Sequence, residues 1–410
     1  MDVSSSGFGE QSRLRLLLEH FSEIKDPREA HRVAIPLQEI LLLAVCGTIA
    51  DCDSYDHIAA WGKQHIEFLR RFQPFYFGVP SGRWLTLMMN RINPELFAAC
   101  FTSWVRACWP DRPELVAIDG KTSRRSHDRS ADKAPLHLVS AFATTAGLVL
   151  GQEAVEGKTN ELTAIPVLLE RLAANDGLKG ALVTIDAIAC NGRIAQAVKD
   201  AGADYLLAVK ANQPTLLAEV ASLFKATSAK PSDEVVDWDK GHGRIEERRV
   251  TVAREVDWLE GDRRFPGELR LPGVKTLIKV ERRTQLKTFC RQEIRYSISS
   301  ADLTAEQAAH AVRRHWGIEN QLHWVLDCTF NEDQARLRKG HGAVNMAVVR
   351  HFAINQVRNA PNHEAPPGSG LRRPRKTPST HPRPQSLRIR RKMAGWSLDY
   401  LQTVLGAKVR

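Results

Sequence analysis

The sequence predicts an α/β protein, a mixed sheet preceded by an all-helical region of about one hundred residues. Three observations carry this. Before Pro110 the apolar pattern is helical, as in Ile35–Ile49 and His57–Phe72. After Pro113, runs such as Leu115–Asp119, Ala181–Asp186 and Asp204–Val209 alternate with the amphipathic stretches Glu161–Ala173 and Gly192–Ala201. Strands buried on both faces, with helices covering them, read this way. Two of those strands, moreover, end in an aspartate, Asp119 and Asp186.

The elements follow in order. Residues 1–13 are polar and expected to be loose. Pro36 suits a first helical turn, Asp53-Ser54 suits an N-cap, and Asn93-Pro94 opens a helix through Phe97, Phe101 and Val105. This helical region is either a DNA-reading module or a packing platform. Leu115–Asp119 is the opening strand, and Gly120-Lys-Thr-Ser123 reads as a sharp turn away from it. Leu136–Thr144 and Leu148–Val155 form a hairpin around Gly147. Residues 231–290 read as a β-rich insertion, with Val250-Thr-Val252 and Leu277–Val280 as strands, and Tyr296–Ser300 as the final strand of the sheet. A long helical stretch starts at Ala305, and a second helix runs over Ala343–Val357. The expected domains are therefore 1–110, helical; 111–360, the sheet domain with its insertion at about 231–290; and 361–410, a Pro-rich basic tail.

Composition narrows the function classes. The net charge is +11, yet the last fifty residues hold eleven Lys and Arg against only Glu364 and Asp399. Contact with a polyanion through overall charge should be strongest there. Seven of the twenty prolines fall within 361–385, which reads as an extended linker, dispensable for chemistry and adding nonspecific DNA affinity. The seven cysteines include no C-x-x-C pair, which argues against a zinc ribbon or disulfide framework and fits a reducing cytoplasm. No basic-then-apolar leader is visible, and the most apolar run, Ile40–Ala50, is too short to span a bilayer. Gly157-Lys-Thr159 is no phosphate loop, because Gln152 stands where a glycine is needed.

The chemistry lies in the acids. Carboxylates brought together at one sheet edge repel, and a divalent cation between them is the economical compensation. A third acid is available from the late helix, in His315-Trp-Gly-Ile-Glu319-Asn-Gln-Leu-His323, where residues four apart share a face. The histidines read first as ordinary polar residues of a partly exposed face. Trp316 and Trp324 read as core or rim packing. Asp327 and Asp333, near the same helix, read first as solvated or salt-bridged acids, and either could contest the third position.

These segments resemble the DDE transposases of bacterial insertion sequences, in the ISAs-type branch. The matching motifs are Ala117-Ile-Asp-Gly-Lys-Thr122, Thr184-Ile-Asp186, Lys210-Ala-Asn-Gln213, His242-Gly-Arg-Ile-Glu246, His315-Trp-Gly-Ile-Glu-Asn320, His323-Trp-Val-Leu-Asp327 and Asp333-Gln-Ala-Arg336. The helical N-terminus, from Phe21 to Trp61, resembles the domain that precedes catalysis in that family. The resemblance implies an RNase H-like sheet, with Asp119, Asp186 and Glu319 as catalytic, metal-binding acids for Mg²⁺ or Mn²⁺, two ions in all. It further implies phosphate contacts through Lys121, Lys210 and Arg244, with transposon ends and target DNA as partners; Arg336, Arg338 and Lys339 read as a solvated charged face or as contacts to the DNA backbone, and Arg336 and Lys339 are taken as DNA-binding. A homo-oligomer on paired ends follows, with no membrane involvement. Relatives carrying Tyr-x-x-Arg-x-x-x-Glu-x-x-x-x-x-x-Lys differ here, since Val312, His315 and Leu326 stand at the Tyr, Arg and Lys positions. His315 and His323 are the residues that could substitute. A metal-dependent nuclease that cuts without joining, and an inactive DNA-binding remnant, share the same acids.

Overall fold

The computed structural model describes residues 12–128, 133–155, 161–226, 233–241, 244–259, 268–285, 289–363 and 385–406. The expectations for the N-terminal eleven residues, Gly157-Lys-Thr159, His242-Gly243 and most of the Pro-rich stretch fall outside them. The chain divides into two compact units: Met1–Pro110, Arg124–Lys133 and Val325–Arg410 form one, Asp111–Ser123 and Ala134–Trp324 the other. Among the described residues no helix is long and apolar enough to cross a membrane.

The first unit opens with α1 (Arg13–Ser22), α2 (Leu37–Ile49), α3 (Tyr55–Gln64), α4 (Ile66–Leu69), α5 (Gly82–Met89) and α6 (Pro94–Cys108). Their starts follow local chemistry. Ser54 Oγ accepts from the His57 N–H, and Asn93 Oδ1 accepts from the N–H groups of Glu95 and Leu96. α2 is buried along almost its whole length, so it must be covered from every side.

The second unit is built on one nine-stranded sheet. Its strands are β1 (Leu115–Thr122), β2 (His137–Ala143), β3 (Leu148–Val155), β4 (Leu182–Ile185), β5 (Asp204–Val209), β6 (Asp233–Gly241), β7 (Arg244–Ala253), β8 (Thr276–Gln285) and β9 (Cys290–Ser299). The order is β3-β2-β1-β4-β5-β9-β8-β7-β6. β1, β4 and β5 run parallel, and every other pairing is antiparallel. The first five strands make the RNase H-like sheet that the resemblance implies. The insertion is β-rich as expected, but it prolongs the same sheet: Val209 of β5 pairs with Tyr296 of β9, and β8, β7 and β6 follow outward. The run read as the final strand is thus the inner end of a ten-residue strand.

Helices cover both faces. α7 (Glu161–Ala173), α8 (Gly192–Asp200) and α9 (Pro214–Ala226) pack Ile165, Leu168, Ile194, Val198 and Val220 into the core that holds Val116, Ile118, Val183, Ile185 and Leu207. α10 (Ala305–His315) lays Ala305, Ala308 and Ala311 against Leu115, Leu206 and Ile278 on the opposite face. The sequence reading passed over α9.

α11 (Trp324–Cys328), α12 (Gly342–Arg358), α13 (Leu387–Trp396) and α14 (Leu398–Val404) complete the chain. α12 packs on α2, α5 and α6, although the sequence reading grouped it with the sheet. The physical reason is its burial, continuous from Asn345 to Val357: a helix with no solvent-facing side over that stretch belongs inside a helical bundle. Phe352 illustrates this, with its ring 4.9 Å from those of both Phe101 and Trp104. Nor is the region after residue 385 simply an exposed basic tail, because Arg390 and Arg391 are buried. Arg391 donates to the Thr48 carbonyl at 2.8 Å, to Asp53 at 2.8 Å and to the Thr329 carbonyl, and its guanidinium lies 4.2 Å from the Phe330 ring centroid. Arg391→Ala should cost about 3 kcal/mol, because buried carbonyls lose their donor. Arg388→Ala, at an exposed position of the same helix, should stay within about 0.5 kcal/mol. Denaturant titration of the two variants checks the contrast.

Candidate active site

Site geometry starts with strand register. β1 and β4 are parallel neighbours, with Ile118 level with Ile185. One residue further along, Asp119 and Asp186 come level at the carboxyl edge of the sheet. Side chains alternate across a strand, so Asp119 follows Leu115, and Asp186 follows Leu182, onto the face covered by α10. β5 ends at the same edge and leads into Lys210, whose Nζ donates to both Asp186 oxygens, at 2.7 and 2.9 Å. The rest of that motif secures the loop after Asp186: Asn212 Nδ2 donates to the Ala187 carbonyl at 2.8 Å and Gln213 Nε2 to the Cys190 carbonyl at 3.0 Å.

The third acid arrives from above. Beyond α10 the helix makes one π-helical turn over Glu319–His323, in which the Trp324 N–H bonds the Glu319 carbonyl. Such turns are rare and concentrate at functional sites. His323 Nδ1 lies 3.2 Å from Glu319 Oε2 and 3.7 Å from Asp119 Oδ2. His315 Nδ1 meets Thr184 Oγ1 at 2.9 Å. The histidines are therefore not ordinary polar residues of an exposed face. The face bearing Glu319 turns toward the sheet, and residues four positions away turn with it; His323 is buried and His315 partly so. Trp316 and Trp324 are exposed, so the rim holds for them and the core does not. Arg295 lies over the Trp316 ring at 5.3 Å.

Charge is unevenly compensated. Burial pushes the Asp119 carboxyl up to about 7; Glu319 adds to the rise, while His323 and the Gly120 N–H oppose it. Glu319 stays below its ordinary value, mainly because of its hydrogen bond with His323. Burial also raises Asp186, but Lys210 and the Ala187 N–H outweigh that and hold it low. Asp186 thus has a lysine, whereas Asp119 and Glu319 share one imidazole. One ligand atom from each of Asp119, Glu319 and His323 lies within 4.8 Å of the others, a spread that a single divalent ion can bridge. The donor set fits a hard or borderline cation. A pocket of about 820 Å³, lined by Asp119, Asp186, Lys210, His315, Trp316 and Glu319 among others, opens the acids to a substrate.

The expected turn after Asp119 does not occur. β1 continues through Gly120 to Thr122, paired to β2. Gly120 is needed for space instead. Its N–H donates to Asp119 Oδ1 at 2.9 Å, and a Cβ there would collide with Glu161 Oε1 and stand 2.6 Å from His137 Nε2. Those two groups bond each other at 2.6 Å, and His137 Nδ1 meets Thr122 Oγ1 at 2.8 Å. Lys121 lies on β1 outside the pocket lining. Arg244 opens β7 opposite Gly241. Arg336 and Lys339 are exposed residues of the helical unit, which also contains Asp327 and Asp333. Of the residues expected to contact DNA, Lys210 lines the pocket with the acids.

The Transposase DDE domain family matches residues 110–356, and the DDE_Tnp_1-associated family matches residues 18–105. This chain belongs to the DDE transposase family. It is 37% identical over 367 residues to YhhI of Escherichia coli (strain K12), named as a candidate H repeat-associated transposase, with 88% of this chain and 94% of that one covered. YbfL of the same strain is 38% identical over 367 residues, again covering 88% and 94% of the two chains. YncI of Escherichia coli O157:H7, named as a candidate transposase, is 36% identical over 369 residues, covering 88% and 91%. The transposase carries out phosphodiester chemistry on DNA, and membership of this family implies dependence on a divalent metal. Because Gly120 packs tightly behind Asp119, Gly120→Ala should lower its cleavage rate by about 10²-fold while the fold persists, measured on end-sequence DNA beside a circular dichroism spectrum.

Proposed function

We propose that Asp119, Asp186 and Glu319 are the catalytic acids of this transposase, and that it cuts at the ends of its own element and joins the freed ends to target DNA. The observation that carries the reading is that Asp119, Asp186 and Glu319 line one pocket, the two aspartates directly following Ile118 and Ile185, which pair across parallel strands. Bound Mg²⁺ or Mn²⁺, two ions held by these acids, would supply Lewis acidity to the attacking and leaving oxygens of a phosphodiester. The chain's own residues do the positioning. Gly120 N–H orients Asp119, Lys210 keeps Asp186 ionised and turned to the pocket, and Glu319 is half exposed at its wall. Water attacks phosphorus at the element's end and a 3′-hydroxyl leaves; that hydroxyl then attacks a target phosphodiester. One phosphodiester forms as one breaks in the second step, so no nucleotide is consumed, in keeping with a chain that carries no phosphate loop.

Lys210, which lines the pocket beside Asp186, is assigned to the scissile phosphate. Lys121, Arg244, Arg336 and Lys339 are assigned to the DNA backbone, where each lost contact should lower the salt dependence of binding. Joining two ends at one target calls for a homo-oligomer on paired ends, working in the bacterial cytoplasm at the nucleoid.

Asp119→Ala, Asp186→Ala and Glu319→Gln should each reduce Mg²⁺-dependent cleavage by about 10³-fold or more, with end binding retained in a mobility-shift assay. A variant that cuts like the unsubstituted protein removes its residue from the site. Pre-cut ends incubated with target plasmid should yield joined products; nicks alone would make the protein a nuclease.

A further inference from the structure

His323, buried against Asp119 and Glu319, stands outside the carboxylate set. We propose that His323 is itself a metal ligand, its Nδ1 completing with Asp119 and Glu319 a mixed oxygen–nitrogen set for one divalent ion. This rests on the metal-dependent reading of the site, and it changes which atoms hold the metal.

Distance is the first support. For an ion bonded at about 2.1 Å, ligand atoms at adjacent octahedral positions stand about 3.0 Å apart and opposite ones about 4.2 Å. His323 Nδ1 is 3.2 Å from Glu319 Oε2 and 3.7 Å from Asp119 Oδ2, within that range. Composition is the second. Among the described residues, the compact group of metal-capable side chains is Asp119, Glu319 and His323, without Asp186. Both Asp186 oxygens are engaged by Lys210.

The backbone supplies a third support. Glu319 and His323 are the first and last residues of the single π-helical turn, so that one irregularity places both donors. The ring is also buried without a competing partner among the described residues. His323 is only 4% exposed, and Nε2 has no hydrogen-bond partner among the described residues, so the polar contacts of the ring are those with the two carboxylates. An imidazole donor favours first-row transition ions over Mg²⁺, Co²⁺ more than Mn²⁺, so the site should discriminate against Mg²⁺ more than an all-oxygen site would.

The test is pulsed EPR on the full-length protein with Mn²⁺ at one equivalent. A ¹⁴N modulation is expected that converts to the ¹⁵N pattern when histidine alone is ¹⁵N-labelled, a readout needing no substitution. It should vanish in His323→Gln and persist in His315→Gln. His323→Gln should also raise the Mn²⁺ Kd by about tenfold, with a smaller effect on Mg²⁺. Mn²⁺ that binds, is released by Asp119→Asn and shows no histidine nitrogen would overturn the proposal and leave the carboxylate reading standing. A coupling that survives His323→Gln, or disappears in His315→Gln, overturns it as well. Mn²⁺ binding indifferent to Asp119→Asn would instead overturn the underlying reading of the site.

Discussion

Two aspartates held level on adjacent parallel strands set the terms for everything around them. The ladder between β1 and β4 brings both to one edge and one face. Asp119 cannot be left there uncompensated, because burial pushes its carboxyl up to about 7. Lys210, His323 and the backbone N–H groups of Gly120 and Ala187 are all responses to the placement of the two acids. The compensation is full for Asp186 and partial for Asp119, which is why the unmet demand for positive charge falls between Asp119 and Glu319.

The same edge explains residues that look unremarkable in sequence. Gly120 is glycine because the strand must pass between Asp119 on one side and the bonded pair His137–Glu161 on the other. Asn212 and Gln213 donate to carbonyls in the loop that follows Asp186, so the segment that carries Lys210 also holds the loop against which it works. The helical unit has its own governing constraint. α2 and α12 have no solvent-facing side over most of their length, and a core containing both draws on the first hundred residues and the last ninety.

Much of this was legible in the sequence, and the parts that were not share a cause. The strands of the sheet were visible as short apolar runs, β1 and β4 each followed by its acid, but the turn read after Asp119 was not there, because pairing with β2 carries β1 on to Thr122. Ser54 and Asn93 marked helix starts because capping is a contact over two or three residues. The insertion's attachment to β5 through β9 was not visible, since alternation shows that a strand has two faces and says nothing of its neighbours. Arg391 looked like one charge in a basic tail; only packing reveals that it binds carbonyls some three hundred and forty positions away and in the 329–330 turn.

The site divides along the same line. By itself the sequence determined the residue types and their local phase: two aspartates each following a buried apolar run, a helical glutamate, and histidines four positions to either side of it. Those are short-range facts, set by the two-residue repeat of a strand and the near-four-residue repeat of a helix. Tertiary structure decided which charges meet. Lys210 went to Asp186 and His323 to Asp119 and Glu319, because strand order and the one wide turn at 319–323 determine distances that no local period encodes.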